Sequence, residues 1–185
     1  MLFSGFDIAL LNWFNHHLIP NSLPALQLIS DTTTYASIAM VLVVLIASIV
    51  KRSKLLRRHF FTLAVVLIVV AAVTQGMKTI ISRERPFNTY PFIEKLTDGG
   101  DSSFPSGHTL EAFAVAAALS FLFSKKKTVL LVYIWAVLVA YSRMALGVHY
   151  PSDVLAGMLI GTFIGFGVPW LFNRFYPGRE IKNPA

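Results

Sequence analysis

Cysteine is absent from the 185 residues, which excludes disulfides, thiolate metal ligands and cysteine nucleophiles. Charge is scarce: 14% of residues are charged, against roughly 25% in a soluble domain. Acidic residues are the rarer sign, 9 against 16 Lys and Arg. No Lys or Arg precedes Lys51, so a cleaved signal peptide with a basic leading region is not expected. Internal repeats and low-complexity segments are lacking as well. Apolar residues fill the space, at 55% of the chain with a mean hydropathy of +0.64. A soluble domain of this length has too little interior for that much apolar surface. One multi-pass membrane domain spanning residues 1–185 is therefore expected. A net charge of +7 would suit nucleic acid, but the basic residues sit in short clusters between apolar runs, so no nucleic-acid partner is expected.

The apolar runs fall at about 34–50, 60–77, 109–123, 128–146 and 154–172. Each is a little shorter than the ~20 residues that cross a hydrocarbon core, so their polar ends are expected to continue the helices. The expected fold is all-α: a polytopic membrane helical bundle of about five transmembrane helices plus an N-terminal amphipathic helix. That first helix, residues 3–18, carries Phe3, Phe6, Leu10, Trp13, Phe14 and Leu18 at helical spacing. It reads either as a helix on the membrane surface, with Trp13 at headgroup depth, or as one packed on the bundle. Pro20 and Pro24 then break the chain. Residues 78–108 form a polar stretch too long for an ordinary connection, and its Pro, Gly and aromatic content favours an ordered, functional loop. Gly157, Gly161 and Gly165 form a small-residue stripe in the last run, able to seat a neighbouring helix within the chain or between chains.

Orientation follows from the basic residues. Lys51, Arg52, Lys54, Arg57 and Arg58, then Lys125, Lys126 and Lys127, then Arg174, Arg179 and Lys182 all fall on one side. Lys78, Arg83, Arg85, Lys95 and Arg143 fall on the other, with most of the acids. The positive-inside rule places the N-terminus outside and the C-terminus in the cytoplasm of a plasma (inner) membrane. The loop 78–108 and the turn at His149 then face the periplasm or exterior.

Three groups meet on that outer face: Lys78-x6-Arg85-Pro86, Pro105-Ser-Gly-His108 and Ser142-Arg143-x5-His149-x3-Asp153. Singly, each residue has a bland explanation. Lys78 and Arg85 could anchor at the headgroups, Arg143 could pair with Asp153, Arg83 and Glu84 could be solvated or paired surface charges, and Glu111 could serve its helix start. Jointly they suit cleavage of a phosphate ester. Lys78, Arg85 and Arg143 can neutralise the phosphoryl oxygens, and backbone at Ser106 and Gly107 adds neutral donors. A neutral His149 imidazole can act as nucleophile, with Asp153 fixing its tautomer and stabilising the cation formed. His108 is free to protonate the leaving oxygen. Such a site needs no metal or other cofactor, and this face has no carboxylate cluster suited to magnesium or calcium.

These residues closely resemble the type 2 phosphatidic acid phosphatase superfamily, which also includes vanadium haloperoxidases. Its three signatures, Lys-x6-Arg-Pro, Pro-Ser-Gly-His and Ser-Arg-x5-His-x3-Asp, all stand here in order across residues 78–153. The resemblance implies that His149 is the nucleophile that becomes phosphohistidine, that Asp153 supports it, and that His108 is the acid and then the base. It also implies that Lys78, Arg85, Ser106, Gly107 and Arg143 hold the phosphate, without metal, in an extracytoplasmic site on a helical bundle. The expected partners are the bilayer and a phosphorylated membrane lipid, with bacterial lipid A, phosphatidylglycerophosphate and undecaprenyl diphosphate phosphatases as similar proteins. A lipid-to-lipid phosphotransferase on the same scaffold and a non-catalytic phosphate-binding transporter are the competing readings. The paired histidines argue against the transporter, since binding alone needs cations and no nucleophile.

Overall fold

The computed structural model describes residues 4–18, 21–123 and 125–176. Phe3, Pro20, Arg179 and Lys182, which carry parts of the sequence reading, lie outside the described residues. Regular structure among the described residues is helical throughout: α1 (Ser4–His16), α2 (Leu23–Asp31), α3 (Thr33–Val50), α4 (Lys54–Ile81), α5 (Pro86–Thr89), α6 (Gly107–Leu122), α7 (Lys126–Ala145) and α8 (Pro151–Phe175). Helices α3, α4, α7 and α8 are long and apolar enough to cross a membrane. The chain is thus an all-α, multi-pass membrane protein.

Helix α6 has 16 residues, about 24 Å of rise, short for a span. Its surroundings account for that. It packs against α3, α4, α7 and α8, and Leu110, Ala112, Ala114 and the run 115–119 are buried. A helix enclosed by other helices is not matched to lipid thickness. The alanines let its neighbours approach closely, and α8 comes nearest through the glycine stripe. A Cβ on Gly157 would lie 2.8 Å from the Ser106 carbonyl oxygen, and Cβ atoms on Gly161 and Gly165 would run into the carbonyls of Leu110 and Ala114. The stripe is therefore used within the chain, and it seats α8 on α6, the helix that carries His108 in its first turn.

One element departs from the sequence reading, and one shows a span continued through its polar ends as expected. Pro24 does not break the chain: it lies in the first turn of α2, where its missing N–H costs nothing. Helix α4 has 28 residues and starts at Lys54, so Lys54, Arg57 and Arg58 belong to the helix. The Ser53 hydroxyl accepts from Leu56 N at 3.3 Å to cap it, and Ser82 ends it in the left-handed region at φ 44°.

Helix α1 packs on the bundle at the end where the polar loop lies. Asp7, Leu11 and Asn15, spaced four residues apart, form its buried face. Leu11 packs with Ile93 and Tyr150. Asn15 donates to the carbonyls of Glu94 (3.1 Å) and Ala145 (3.0 Å) and accepts from Glu94 N (2.8 Å). The aromatic residues counted as its apolar face include Phe6 and Trp13, which are instead exposed.

Candidate active site

One cavity of ≈ 470 Å³ gathers residues from four helices and the segments that connect them. On α4, Leu67, Val70, Ala71, Thr74, Gln75 and Lys78 recur at three- and four-residue spacing and line a single face. Helix α3 adds Thr34 and Ile38, α6 adds Gly107, His108 and Glu111, and α7 adds Arg143. The connecting segments supply Arg85, Asp98, Gly100 and His149. The structure thus brings Lys78, Arg85, Gly107, His108, Arg143 and His149 to one place. Among the described residues, no three His, Asp or Glu side chains gather closely enough to hold a metal ion.

The three cations are held differently. Arg85 is fully buried, and its guanidinium donates to the carbonyls of Gly100, Val148 (2.8 Å) and Ser102 (3.1 Å). It therefore ties the polar loop to the turn before α8. Gly99 lies against it, and a Cβ there would be 3.1 Å from the Arg85 side chain. Burial lowers the proton affinity of Arg85, with Asp153 and Asp101 working against that effect. Arg143 is also buried and donates to the Ser30 hydroxyl of α2, yet its Nε has no partner among the described residues. A buried guanidinium N–H without an acceptor is costly unless a ligand supplies one. Lys78 is half-buried at the rim.

The geometry of His149 fixes its chemistry. The ring is buried, and its Nδ1 lies 2.7 Å from the Ser103 carbonyl oxygen. A carbonyl can only accept, so Nδ1 carries the hydrogen and Nε2 keeps its lone pair. Nε2 lies 3.4 Å from Arg85 Nη1. Burial, reinforced by the charges of Arg143, Arg85 and Lys78, holds the imidazole's pKa well below its ordinary value. His149 is thus neutral at pH 7.

Asp153 was expected to fix this tautomer, but here the Ser103 carbonyl makes that hydrogen bond. The Asp153 carboxylate is committed elsewhere at the start of α8. Its Oδ2 accepts from Tyr150 N (2.9 Å), and its Oδ1 accepts from Arg83 Nη1 (2.6 Å). Oδ2 lies 3.7 Å from His149 Nδ1, an ion-pair distance that serves a positively charged ring. Ser106 also differs from its expected role. Its N–H donates to the Asp153 carbonyl at 3.1 Å, and its hydroxyl pairs with that of Thr109 at 2.9 Å. It fixes the start of α6 against α8, while Gly107 lines the cavity.

The sequence reading missed Ser103, which acts through its backbone and leaves no side-chain signal. It treated Arg83 as a solvated or paired surface charge without naming its partners Asp7 and Asp153, and it did not single out Ser30 or Thr74. Thr74 Oγ1 and Glu111 Oε1 are buried at the cavity without partners among the described residues.

A membrane helical bundle thus brings three cations and two imidazoles to one cavity. The PAP2 superfamily model matches residues 59–177, more than half of the chain, and the chain belongs to that superfamily. The lipid A 4'-phosphatase of Bacteroides thetaiotaomicron is 36% identical over 102 residues, covering 52% of this chain and 44% of that protein. The undecaprenyl-diphosphatase of Sulfolobus acidocaldarius is 45% identical over 93 residues, covering 48% of this chain and 43% of its own. The matched stretch thus spans somewhat under half the length of each curated relative. In fold, the chain is similar to a transmembrane PAP2-type phosphatidylglycerolphosphate phosphatase from Bacillus subtilis. The TM-score is 0.80 and the identity 23%, over 96% of this chain and 90% of that one.

Proposed function

We propose that this chain is an integral-membrane lipid phosphatase that removes a phosphate or diphosphate from a membrane lipid through a phosphohistidine at His149, without a metal. The observation that carries this reading is the make-up of the cavity. Its polar part holds Lys78, Arg85, Arg143, His108 and His149, and its wall continues into Ile38, Leu67, Val70 and Ala71. A charged headgroup joined to an apolar chain matches both parts. The names of the relatives agree with a phosphorylated lipid and leave its headgroup to experiment.

The reaction follows from the donors present. Lys78, Arg143 and the remaining N–H groups of Arg85 bind the phosphoryl oxygens, with Gly107 N at the start of α6 beside them. His149 Nε2 attacks phosphorus, and the ester P–O bond breaks. His108 gives a proton to the leaving lipid oxygen, and the substrate's own negative charge favours a protonated His108 among three cations. The phosphorylated ring is cationic, and Asp153 at 3.7 Å stabilises it. Water then attacks phosphorus while His108 accepts its proton. The P–N bond breaks, releasing inorganic phosphate and neutral His149. Three side-chain cations supply the charge stabilisation that a metal supplies elsewhere.

The working orientation has the cavity on the exterior or periplasmic side of the plasma membrane, with the N-terminus outside and the C-terminus in the cytoplasm. The clustering of Lys51–Arg58 and Lys125–Lys127 at the far end of the bundle supports it. A single cysteine placed at Asn88 should react with an impermeant reagent from outside, and labelling from the cytoplasm alone would reverse the topology. The function is tested by phosphate release from purified protein with phosphatidic acid, phosphatidylglycerophosphate, lipid A and undecaprenyl diphosphate, each with excess EDTA. Turnover of at least one lipid in EDTA is expected. Turnover restored only by magnesium would contradict the metal-free step, and transfer to a second lipid without free phosphate would indicate a phosphotransferase.

A further inference from the structure

We infer that Asp7, on helix α1, and Arg83 act together as positioning residues for the carboxylate beside His149. The inference rests on the phosphatase reading above. Arg83 bridges two acids: Nη2 meets Asp7 Oδ2 at 2.9 Å, and Nη1 meets Asp153 Oδ1 at 2.6 Å. Its guanidinium lies over the Tyr150 ring, 3.8 Å from the centroid. Asp7 also grips the first turn of α8 directly, accepting from Ser152 N at 2.8 Å and from the Ser152 hydroxyl at 2.5 Å. The Asp7 side chain is 5% exposed and that of Asp153 0%, so neither is a solvated surface charge. Asp7 lies before the residues the family model matches, and Arg83 fills one of the unspecified positions of Lys78-x6-Arg85-Pro86.

The arrangement has a chemical consequence. Asp153 has two oxygens and three neighbours. Arg83 takes Oδ1, which turns Oδ2 toward Tyr150 N and the His149 ring. An Arg83 facing Asp153 alone would be free to pair with both carboxylate oxygens and draw Oδ2 away from the ring. Asp7 prevents this by taking the other arm of the guanidinium, and through Ser152 it fixes the turn that carries Asp153. The balance matters most when His149 is phosphorylated and cationic, because the Asp153 charge is then needed at a set distance.

The test uses the full-length protein in detergent or vesicles, with whichever lipid the wild type turns over. Asp7→Asn should lower kcat by about 10- to 100-fold, the range seen when a partner that orients a reactive group is removed, with KM within about twofold because no phosphate ligand has changed. Asp7→Glu should restore part of kcat. In an Arg83→Gln background, Asp7→Asn should add little, since both act through one bridge. Asn15→Ala loosens α1 at its other end without touching Arg83. It should lower Tm while leaving kcat per folded protein intact. Unchanged kcat in folded Asp7→Asn, a loss that appears in KM, full additivity with Arg83→Gln, or an equal kcat loss in Asn15→Ala would each overturn the inference while the phosphatase reading stands. A wild type that releases no phosphate from any lipid would overturn both.

Discussion

Both ends of the bundle are rich in cations, and they treat them in opposite ways. At one end Lys51, Arg52, Lys54, Lys125 and Lys126 are exposed. At the other, Arg85 and Arg143 are 2% exposed and Arg83 is held between two carboxylates. Solvated cations cost little and act collectively, by fixing which way the chain faces. Buried cations are expensive, so each needs a carbonyl, a carboxylate or a ligand to remain charged. Arg58 is the intermediate case: it sits at the solvated end yet donates to the Phe172 carbonyl (3.1 Å) and Asn173 Oδ1 (2.8 Å), closing the end of α8. On the proposed reading the same residue types set topology at one end and chemistry at the other, and burial separates the two uses.

That contrast can be broken most severely at His149. His149→Ala should reduce turnover roughly 10⁴-fold or more, because the nucleophile is lost, while lipid binding persists. Retained turnover would remove the proposed intermediate. His108→Ala should cost about 10²- to 10⁴-fold with a lipid alkoxide leaving group, and distinctly less with p-nitrophenyl phosphate, whose phenolate leaves without a proton. An equal loss on both substrates would deny His108 the acid role.

The pH dependence sharpens the comparison. Because burial and the surrounding cations depress the His149 pKa, its ring should stay neutral well below pH 6.5, the ordinary midpoint of a histidine at about 6.5. Histidine NMR of the purified protein should show no titration of this ring between pH 8 and 6. The linkage sign follows. Below about pH 6.5 the unfolded chain takes up a proton that native His149 refuses, so stability falls as pH drops from there toward the lowered folded value. A ring that titrates at its ordinary midpoint would contradict the burial argument.

Smaller effects are expected in the packing and at the solvated end. Gly161→Ala forces a methyl group into the Leu110 carbonyl and should lower stability by about 1–3 kcal/mol, read as a lower Tm in detergent. Lys126→Ala, at the exposed end, should leave kcat and Tm near wild type, within about 0.5 kcal/mol of stability. A large kinetic loss there would erase the distinction between the two ends.

Much of this was legible in the residues themselves. The five apolar runs located α3, α4, α6, α7 and α8, and the spacing of Lys78, Arg85, His108, Arg143 and His149 named cavity residues before any geometry was known. Their joint spacing was informative because charge at membrane depth is rare. The short α2 was hidden, because Pro24 reads as a breaker until its place in a first turn is known. The buried face of α1 was hidden too, since Asp7 and Asn15 look like solvent-facing residues and their partners lie far along the chain. Ser103 left no trace because a backbone carbonyl has no sequence signature. The division of labour around Asp153 depends on which of its oxygens Arg83 takes, and residue identities do not encode that.

The most direct test is to trap the enzyme in mid-reaction. Purified protein mixed with lipid carrying radiolabelled phosphate, quenched rapidly under alkaline conditions and mapped by mass spectrometry, should carry an acid-labile phosphoryl group on His149. Label on another residue, or steady phosphate release with no labelled protein at any quench time, would contradict the account.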